Sequence, residues 1–206
     1  MRKNVLITGA GGFIGKSIRG GKAFTGDITK IHSIWRQTKG VSGIVHLAAV
    51  SSRKLCQENP RDTIKINLLA LCDVLEVALR RRIWVLFVST FQVMDEHIYG
   101  LSKLIGEEIC RIYQMRGLKV RILRLPIVYG PGDRPYKIVT KIISEVKTGK
   151  IPKIDTRRKF QFLYVKDAVK LIEKEVNVLS CRKGKKYSLY ELVTGIRKCL
   201  AKREGK

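Results

Sequence analysis

Tyr99 and Lys103 stand one helical turn apart in the segment Tyr99-Gly100-Leu101-Ser102-Lys103, so both side chains can point to one spot. A tyrosine is a poor base at its unperturbed pKa of about 10, but a neighbouring ammonium favours the phenolate, each unit of lowering being worth about 1.4 kcal/mol. Brought nearer the working pH, Tyr99 would remove a hydroxyl proton as a general base. In so basic a chain the plainer reading of the pair alone is a solvated helix face. Yet of the seven tyrosines only Tyr99 has a lysine four residues on. Ser89-Thr90 closes the apolar run just upstream, and the C-terminal ends of buried strands are where open α/β sheets bind ligands.

A second constellation, Asn4 to Gly15 (NVLITGAGGFIG), joins a short apolar strand pattern to glycines at 9, 12 and 15. Gly9 allows a sharp turn, Gly12 leaves room for a pyrophosphate, and Gly15 lets a following helix lie close on the sheet. The helix is expected to begin near Phe13, so that free N–H groups around Phe13 and Ile14 and the positive dipole end face bound phosphates. An ordinary loop is the bland alternative for three glycines. The strand before them and the Phe13-Ile14 pair after them favour a dinucleotide site. A cationic nicotinamide ring beside Tyr99 would further favour phenolate, with hydride leaving the carbon whose hydroxyl loses its proton.

These residues need a scaffold, and the chain alternates apolar strand-like runs with helix-like segments, the pattern of a doubly wound α/β sandwich. Strands are expected at Asn4 to Thr8, the end of Lys22 to Asp27, Val41 to Ala49, Trp84 to Ser89 and Lys119 to Leu125. Helices are expected at Thr29 to Lys39, Arg61 to Arg82 and Tyr99 to Arg116. In the longest, Ile64, Leu68, Leu71, Leu75 and Leu79 share one face. Past Gly130-Pro131 the pattern loosens into helical stretches at Tyr136 to Lys147, Asp167 to Val176 and Ser188 to Ala201, with a strand at Phe160 to Val165. The domain expectation is a Rossmann-like core over 1–130 and a small substrate lobe over 131–206, interleaved with it.

Composition narrows the function classes. With 206 residues and 45% hydrophobic content the chain supports one sizeable core. The longest strongly apolar run, Ile83 to Val88, is too short to cross a bilayer, and the N-terminus runs straight into the glycine turn, which reads as an intracellular, cytoplasmic protein. Cys56, Cys72, Cys110, Cys181 and Cys199 are scattered, contain no C-x-x-C pair and do not cluster with His32, His46 or His97, so no disulfide framework and no metal site are expected. The formal charge of +25 promotes contact with polyanions. No nucleic-acid motif accompanies it, and a specific nucleic-acid partner is not expected.

Taken together, the motifs resemble the extended short-chain dehydrogenase/reductases, especially the NAD-dependent epimerase/dehydratase group acting on nucleotide sugars. TGAGGFIG at 8–15 is similar to that family's cofactor turn, Gly26-Asp27-Ile28 to the segment approaching adenine, and His46-Leu47-Ala48-Ala49 to the strand end beside the cofactor. Asn67 matches a helix asparagine that supports the active site; Thr90 takes the Ser/Thr role and Tyr99 with Lys103 the Tyr-x-x-x-Lys role. Leu123-Arg124 through Tyr129-Gly130-Pro131, FLYVKD at 162–167 and YSLYEL at 187–192 resemble later landmarks. The resemblance implies catalysis by Thr90, Tyr99 and Lys103. It implies NAD held by Gly9, Gly12, Phe13, Ile14, Gly15, Asp27, Ile28, Leu47, Ala48, Ala49, Asn67, Tyr99 and Lys103. A homodimer through the Arg61 and Tyr99 helices would follow.

Departures from the family pattern are equally legible. Only Lys16 to Gly26 lies between the glycine turn and Asp27, which reads as deletion of most or all of the second strand and its helix, together with the acidic residue that holds the adenosine ribose. NADP is therefore not excluded. Ile127 replaces an asparagine that contacts the substrate diphosphate, leaving Arg157 and Arg158 as the favoured anion contacts, with Thr90 on the sugar. Arg124 is expected to be tied up at the end of its own strand. The leading reading is an oxidoreductase or epimerase acting on a nucleotide-linked sugar; the alternatives are a cofactor-binding protein with reduced catalysis and, behind it, nucleic-acid binding.

Overall fold

Four consecutive apolar or β-branched residues form β1 (Val5–Thr8), every one buried, because strands flank it on both edges. The computed structural model describes residues 4–150, 159–174 and 185–203. In it β1 belongs to a five-stranded parallel sheet with β2 (Lys22–Ala23), β3 (Gly43–His46), β4 (Trp84–Thr90) and β5 (Val120–Leu125), in the order β2-β1-β3-β4-β5. Thr8 pairs with His46, His46 with Phe87 and Thr90 with Leu125, so Thr8, His46 and Thr90 all lie toward one edge of the sheet.

Helices α1 (Ile31–Gln37), α2 (Arg53–Glu58), α3 (Pro60–Ile64), α4 (Ala70–Arg81) and α5 (Ile98–Met115) belong to this unit. Leu6, Ile44, Val85, Phe87, Val120 and Ile122 project from alternate strand positions into a core with Ile34 of α1, Leu71, Val74, Leu75 and Ala78 of α4, and Cys110 of α5. Their three- and four-residue spacing on α4 is the expected buried face. The expected Arg61 to Arg82 helix is present as α3 and α4 joined through one π-helical turn, Lys65–Leu69, with Asn67 inside it. The short α2, capped by Ser52 accepting from the Leu55 amide, was not apparent from periodicity.

One expectation fails. No full helix follows the glycine turn: a single 3-10 turn, Gly15–Ser17, is all that forms before the chain bends back at Gly20 and Gly21, both at φ +82°. Too few residues separate Gly15 from β2 to propagate a helix, and nucleating one turn fixes many dihedrals for little hydrogen bonding. The second strand survives only as the two residues of β2.

Contacts divide the chain into two units, one of residues 1–125 with 166–181 and the other of 126–165 with 182–206. The second contains a mixed sheet, β6 (Ile127–Tyr129), β7 (Lys159–Tyr164) and β8 (Lys185–Ser188), with β6 parallel and β8 antiparallel to β7. Val139 and Ile142 of α6 (Ile138–Lys147), Phe162 of β7 and Val193 of α8 (Leu189–Arg203) form its core. Ser188 and Glu191 make a reciprocal capping box at the start of α8. Helix α7 (Val165–Glu173) follows β7 and belongs, from Lys166 on, to the first unit. Among the described residues no helix is long and apolar enough to cross a membrane.

Candidate active site

The glycine turn closes on its own backbone. Gly9 has φ +70°, and a Cβ there would stand 2.7 Å from the Ala48 amide nitrogen, so the turn sits directly against the end of β3. A Cβ on Gly15 would meet Ala10 Cα at 2.6 Å and the Gly9 carbonyl closer still. Gly15 is thus required by the turn itself, rather than by a helix lying on the sheet as its spacing implies. The Gly12 amide donates to Gly9 O at 2.9 Å, whereas among the described residues the amides of Gly11, Phe13 and Ile14 have no hydrogen-bond partner. Open amides in a glycine-rich turn fit an anion.

Thr90 ends β4, its Oγ1 accepting from the Gln92 amide at 3.2 Å, and a 3-10 turn, Phe91–Met94, leads on toward α5. His97 Nδ1 accepts from the Gly100 amide at 2.8 Å and caps α5 immediately ahead of Tyr99. Its ring lies 6.1 Å from that of Tyr99 at an interplanar angle of 12°. Burial, with the Arg53 charge behind it, holds the imidazole below its ordinary pKa, which keeps Nδ1 an acceptor. Nothing in the residue type announces this cap, since histidine is not among the favoured N-cap residues.

Lys103 is buried and donates to the Val88 carbonyl at 2.9 Å, with its ammonium 4.6 Å from the centre of the Phe87 ring. Burial pulls it down to about 8, against the opposing influence of Cys110 and Glu107. The Tyr99 phenol is pushed up to about 12, first by burial and then by Cys56. The lowering of Tyr99 expected from Lys103 is absent here, because the ammonium is directed to the β4 backbone. Among the described residues no hydrogen bond links the Tyr99 hydroxyl to Lys103 or Thr90.

Buried polar side chains hold this edge together. Asn67 accepts from Val50 N at 2.8 Å and donates to Val50 O at 3.1 Å and to Ser102 Oγ at 3.0 Å, and Ser102 in turn donates to Tyr99 O. Its carboxamide therefore ties the segment after β3 to the helix of Tyr99 and Lys103, a positioning role. The π turn is what brings it there. Thr8 Oγ1 pairs with His46 Nδ1 at 2.9 Å and accepts from the Ala48 amide at 3.3 Å. Burial, reinforced by Lys103, holds His46 down at about 3. Glu107 and Arg124 form an ion pair that also takes in Ser89. Arg124 is thus tied up on its own strand, as expected, whereas its partner Glu107 shows in the sequence only as a charged residue one turn after Lys103.

Asp27 is exposed and accepts from both the amide and the hydroxyl of Thr29 at 2.8 Å; its carboxyl is held below its ordinary range first by the Thr29 amide bond. Ile28 packs on the core, and Leu47, Ala48 and Ala49 are partly exposed beyond β3. Arg157 and Arg158 lie outside the described residues.

A family model described as NAD dependent epimerase/dehydratase matches residues 19–187. The chain belongs to that family. Its members are enzymes of NAD-dependent chemistry, and the open turn at Gly11 to Ile14 fits the phosphates of that cofactor. A UDP-N-acetyl-alpha-D-glucosaminuronate decarboxylase of Bacillus cytotoxicus is 28% identical over 223 residues, covering 82% of this chain and 70% of the relative. A UDP-2-acetamido-2,6-beta-L-arabino-hexul-4-ose reductase of Pseudomonas aeruginosa is 31% identical over 140 residues, covering 64% of this chain but 37% of its own length. MoeE5, solved in complex with UDP-glucose and NAD, superposes with a TM-score of 0.83 at 24% identity, over 95% of this chain and 81% of that one. The likeness shows a shared Rossmann-like α/β fold, of which this chain is a shortened version.

Proposed function

We propose that the protein is a compact cytoplasmic NAD-dependent enzyme that oxidises or epimerises a nucleotide-linked sugar, with Tyr99 moving the proton. The observation that carries this reading is the delivery of Thr90, Tyr99 and buried Lys103 to the sheet edge at which the glycine turn abuts Ala48. NAD would be held by the amides of Gly11, Phe13 and Ile14, by the backbone around Asp27 and Ile28, and by Leu47 to Ala49, and when bound it supplies a hydride acceptor. Thr90 would orient the sugar hydroxyl by a hydrogen bond. Tyr99 would take that hydroxyl's proton on its phenolic oxygen, and Lys103, turned from Val88 O toward the cofactor ribose, would lower the phenol's pKa. Asn67 and Glu107 hold the helix and strand that carry these groups. Arg157 and Arg158 are favoured for the substrate diphosphate. The proposed division of labour is a core over 1–130 and a substrate lobe over 131–206.

Two copies are proposed to pair through the helices carrying Arg61 and Tyr99, where Ile64, Leu69, Leu101, Ile105 and Ile112 are exposed large apolar side chains. A second reading, a cofactor-binding protein with reduced turnover, is favoured by the Lys103 ammonium resting on Val88 O and by the single turn that stands where a helix would follow the glycines. Mass spectrometry of the protein as released from its host, followed by incubation with UDP-glucose and UDP-glucuronic acid, separates the two. Co-purified NAD with conversion of either sugar supports the enzyme; bound NAD with no turnover of a broad nucleotide-sugar panel favours the second reading.

A further inference from the structure

We propose that the sheet edge opposite the glycine turn, where β3, β4 and β5 begin, is a docking surface for single-stranded nucleic acid, contacted through its phosphates without regard to sequence. Segments 36–43, 80–84 and 116–120 lead into these strands, and they contain arginines and lysines but no carboxylate. They are neighbours: Trp84 N donates to Ser42 O at 3.4 Å and Val85 N to Lys119 O at 2.9 Å. The strand starts that these cations precede are therefore adjacent, at the roughly 4.8 Å spacing of paired strands.

Their charge is mostly unspent. Glu76 pairs with Arg80 and Arg116, while exposed Arg36, Lys39, Arg82 and Lys119 have no ion pair among the described residues. Arg82 carries a second signal. Among the described residues it is the one non-glycine with positive φ, +55°, at the C-cap of α4, a position that favours glycine. A cation held at a backbone cost is a pointer to function rather than to folding. Trp35 adds a third: its indole is 42% exposed, with the Arg81 guanidinium 3.9 Å from the ring centroid. Unpaired cations beside an exposed indole that already carries a guanidinium match a strand of phosphates carrying stackable bases. This edge lies at the strand starts and Thr90 at a strand end, so the surface is independent of the enzyme reading.

The test uses the full chain and a fluorescein-labelled single-stranded oligonucleotide of mixed sequence, with affinity followed by anisotropy between about 50 and 200 mM salt. The edge variant combines Lys39→Ser, Arg82→Gly and Lys119→Ser; the Arg82→Gly change relieves the backbone, so loss of binding is not loss of fold. A control, Lys147→Ser with Lys150→Ser and Lys166→Ser, removes the same charge from elsewhere on the surface. The plot of log affinity against log salt should be shallower by about two in the edge variant and by less than one in the control. Trp35→Ala should weaken binding about fivefold or more at unchanged slope. The proposal is overturned by absence of binding, by equal slope losses in the two triple variants, or by tighter edge-dependent binding to phosphatidylserine vesicles or polyglutamate than to the oligonucleotide.

Discussion

The Glu107 carboxylate on α5 grips the Arg124 guanidinium on β5 with two prongs, Oε1 to Nε at 2.8 Å and Oε2 to Nη2 at 2.5 Å. It also takes the Ser89 hydroxyl at 2.5 Å. One fully buried carboxylate thereby joins the strand ending in Thr90, its neighbour, and the helix of Tyr99 and Lys103. Arg124 is consumed in the process, which leaves it unavailable to a substrate.

Glu107→Gln should cost about 3 kcal/mol, because it strands a partly buried guanidinium without its counter-ion. The double variant Glu107→Leu with Arg124→Met should recover much of that loss, since both charges then leave together. Urea denaturation of the three proteins measures this. A loss below about 1 kcal/mol in the single variant would show that the pair contributes no more than a surface bridge.

Tyr99→Phe should abolish turnover while leaving cofactor binding nearly intact, because the hydroxyl carries the proton and does not hold phosphates. Lys103→Ala should impair both. The two losses should separate in paired measurements of NAD affinity and rate on a substrate that the parent converts. Wild-type rates in Tyr99→Phe would remove tyrosine from the mechanism. Lys103→Met should also raise stability at neutral pH, since burial disfavours the lysine's charge.

The strands and helices that carry the site were legible because their signals are local. β1 shows as an apolar run, α4 as a buried face of period near 3.6, and the Tyr99 to Lys103 pair as one helical turn. What was not legible depends on closure over distance. Whether a helix follows Gly15 depends on how few residues the chain has to reach β2, and β6 and β8 are strands only because β7 lies between them. The direction of the Lys103 ammonium depends on the Val88 carbonyl, fifteen residues away in the chain. Thr8 with His46 and Glu107 with Arg124 meet only once the sheet is assembled.

His46 makes acid stability titratable. Its folded pKa of about 3 lies below the ordinary 6.5, so between these values the unfolded chain binds more protons than the folded one. Its contribution is complete above pH 6.5 and is lost progressively as pH falls toward about 3, at about 1.4 kcal/mol per pH unit. His46→Phe keeps an aromatic ring against Phe87 and removes the titration. The difference between wild type and variant isolates this residue from the carboxylates, which titrate in both. Equal pH slopes in the two proteins from about pH 6 to 4 would contradict the neutral, buried imidazole.

Ile105→Glu places a charge among the exposed apolar residues of α5 and should convert a dimer into a monomer with little change in melting of the monomer fold. Light scattering coupled to size exclusion reads the mass directly. A wild-type protein that is monomeric at every accessible concentration would exclude pairing through these helices.

Cofactor choice follows from the shortened start of the sheet. β2 is two residues long, and no acidic residue lies between Gly15 and Asp27 to hold a ribose 2′-hydroxyl and repel a 2′-phosphate. The Asp27 carboxylate is already engaged with Thr29. Lys16 and Arg19 are exposed nearby in sequence, whereas Lys22 donates to Gln37 O at 3.3 Å. NAD remains the expected cofactor, but discrimination against NADP should be weak. Titration of each into protein stripped of nucleotide should give affinities within about a hundredfold, a difference below roughly 2.7 kcal/mol. A larger preference for NAD would mean that some group other than an acidic residue after β2 reads the ribose. A larger preference for NADP would point to Lys16 and Arg19, and replacing both with serine should then abolish it.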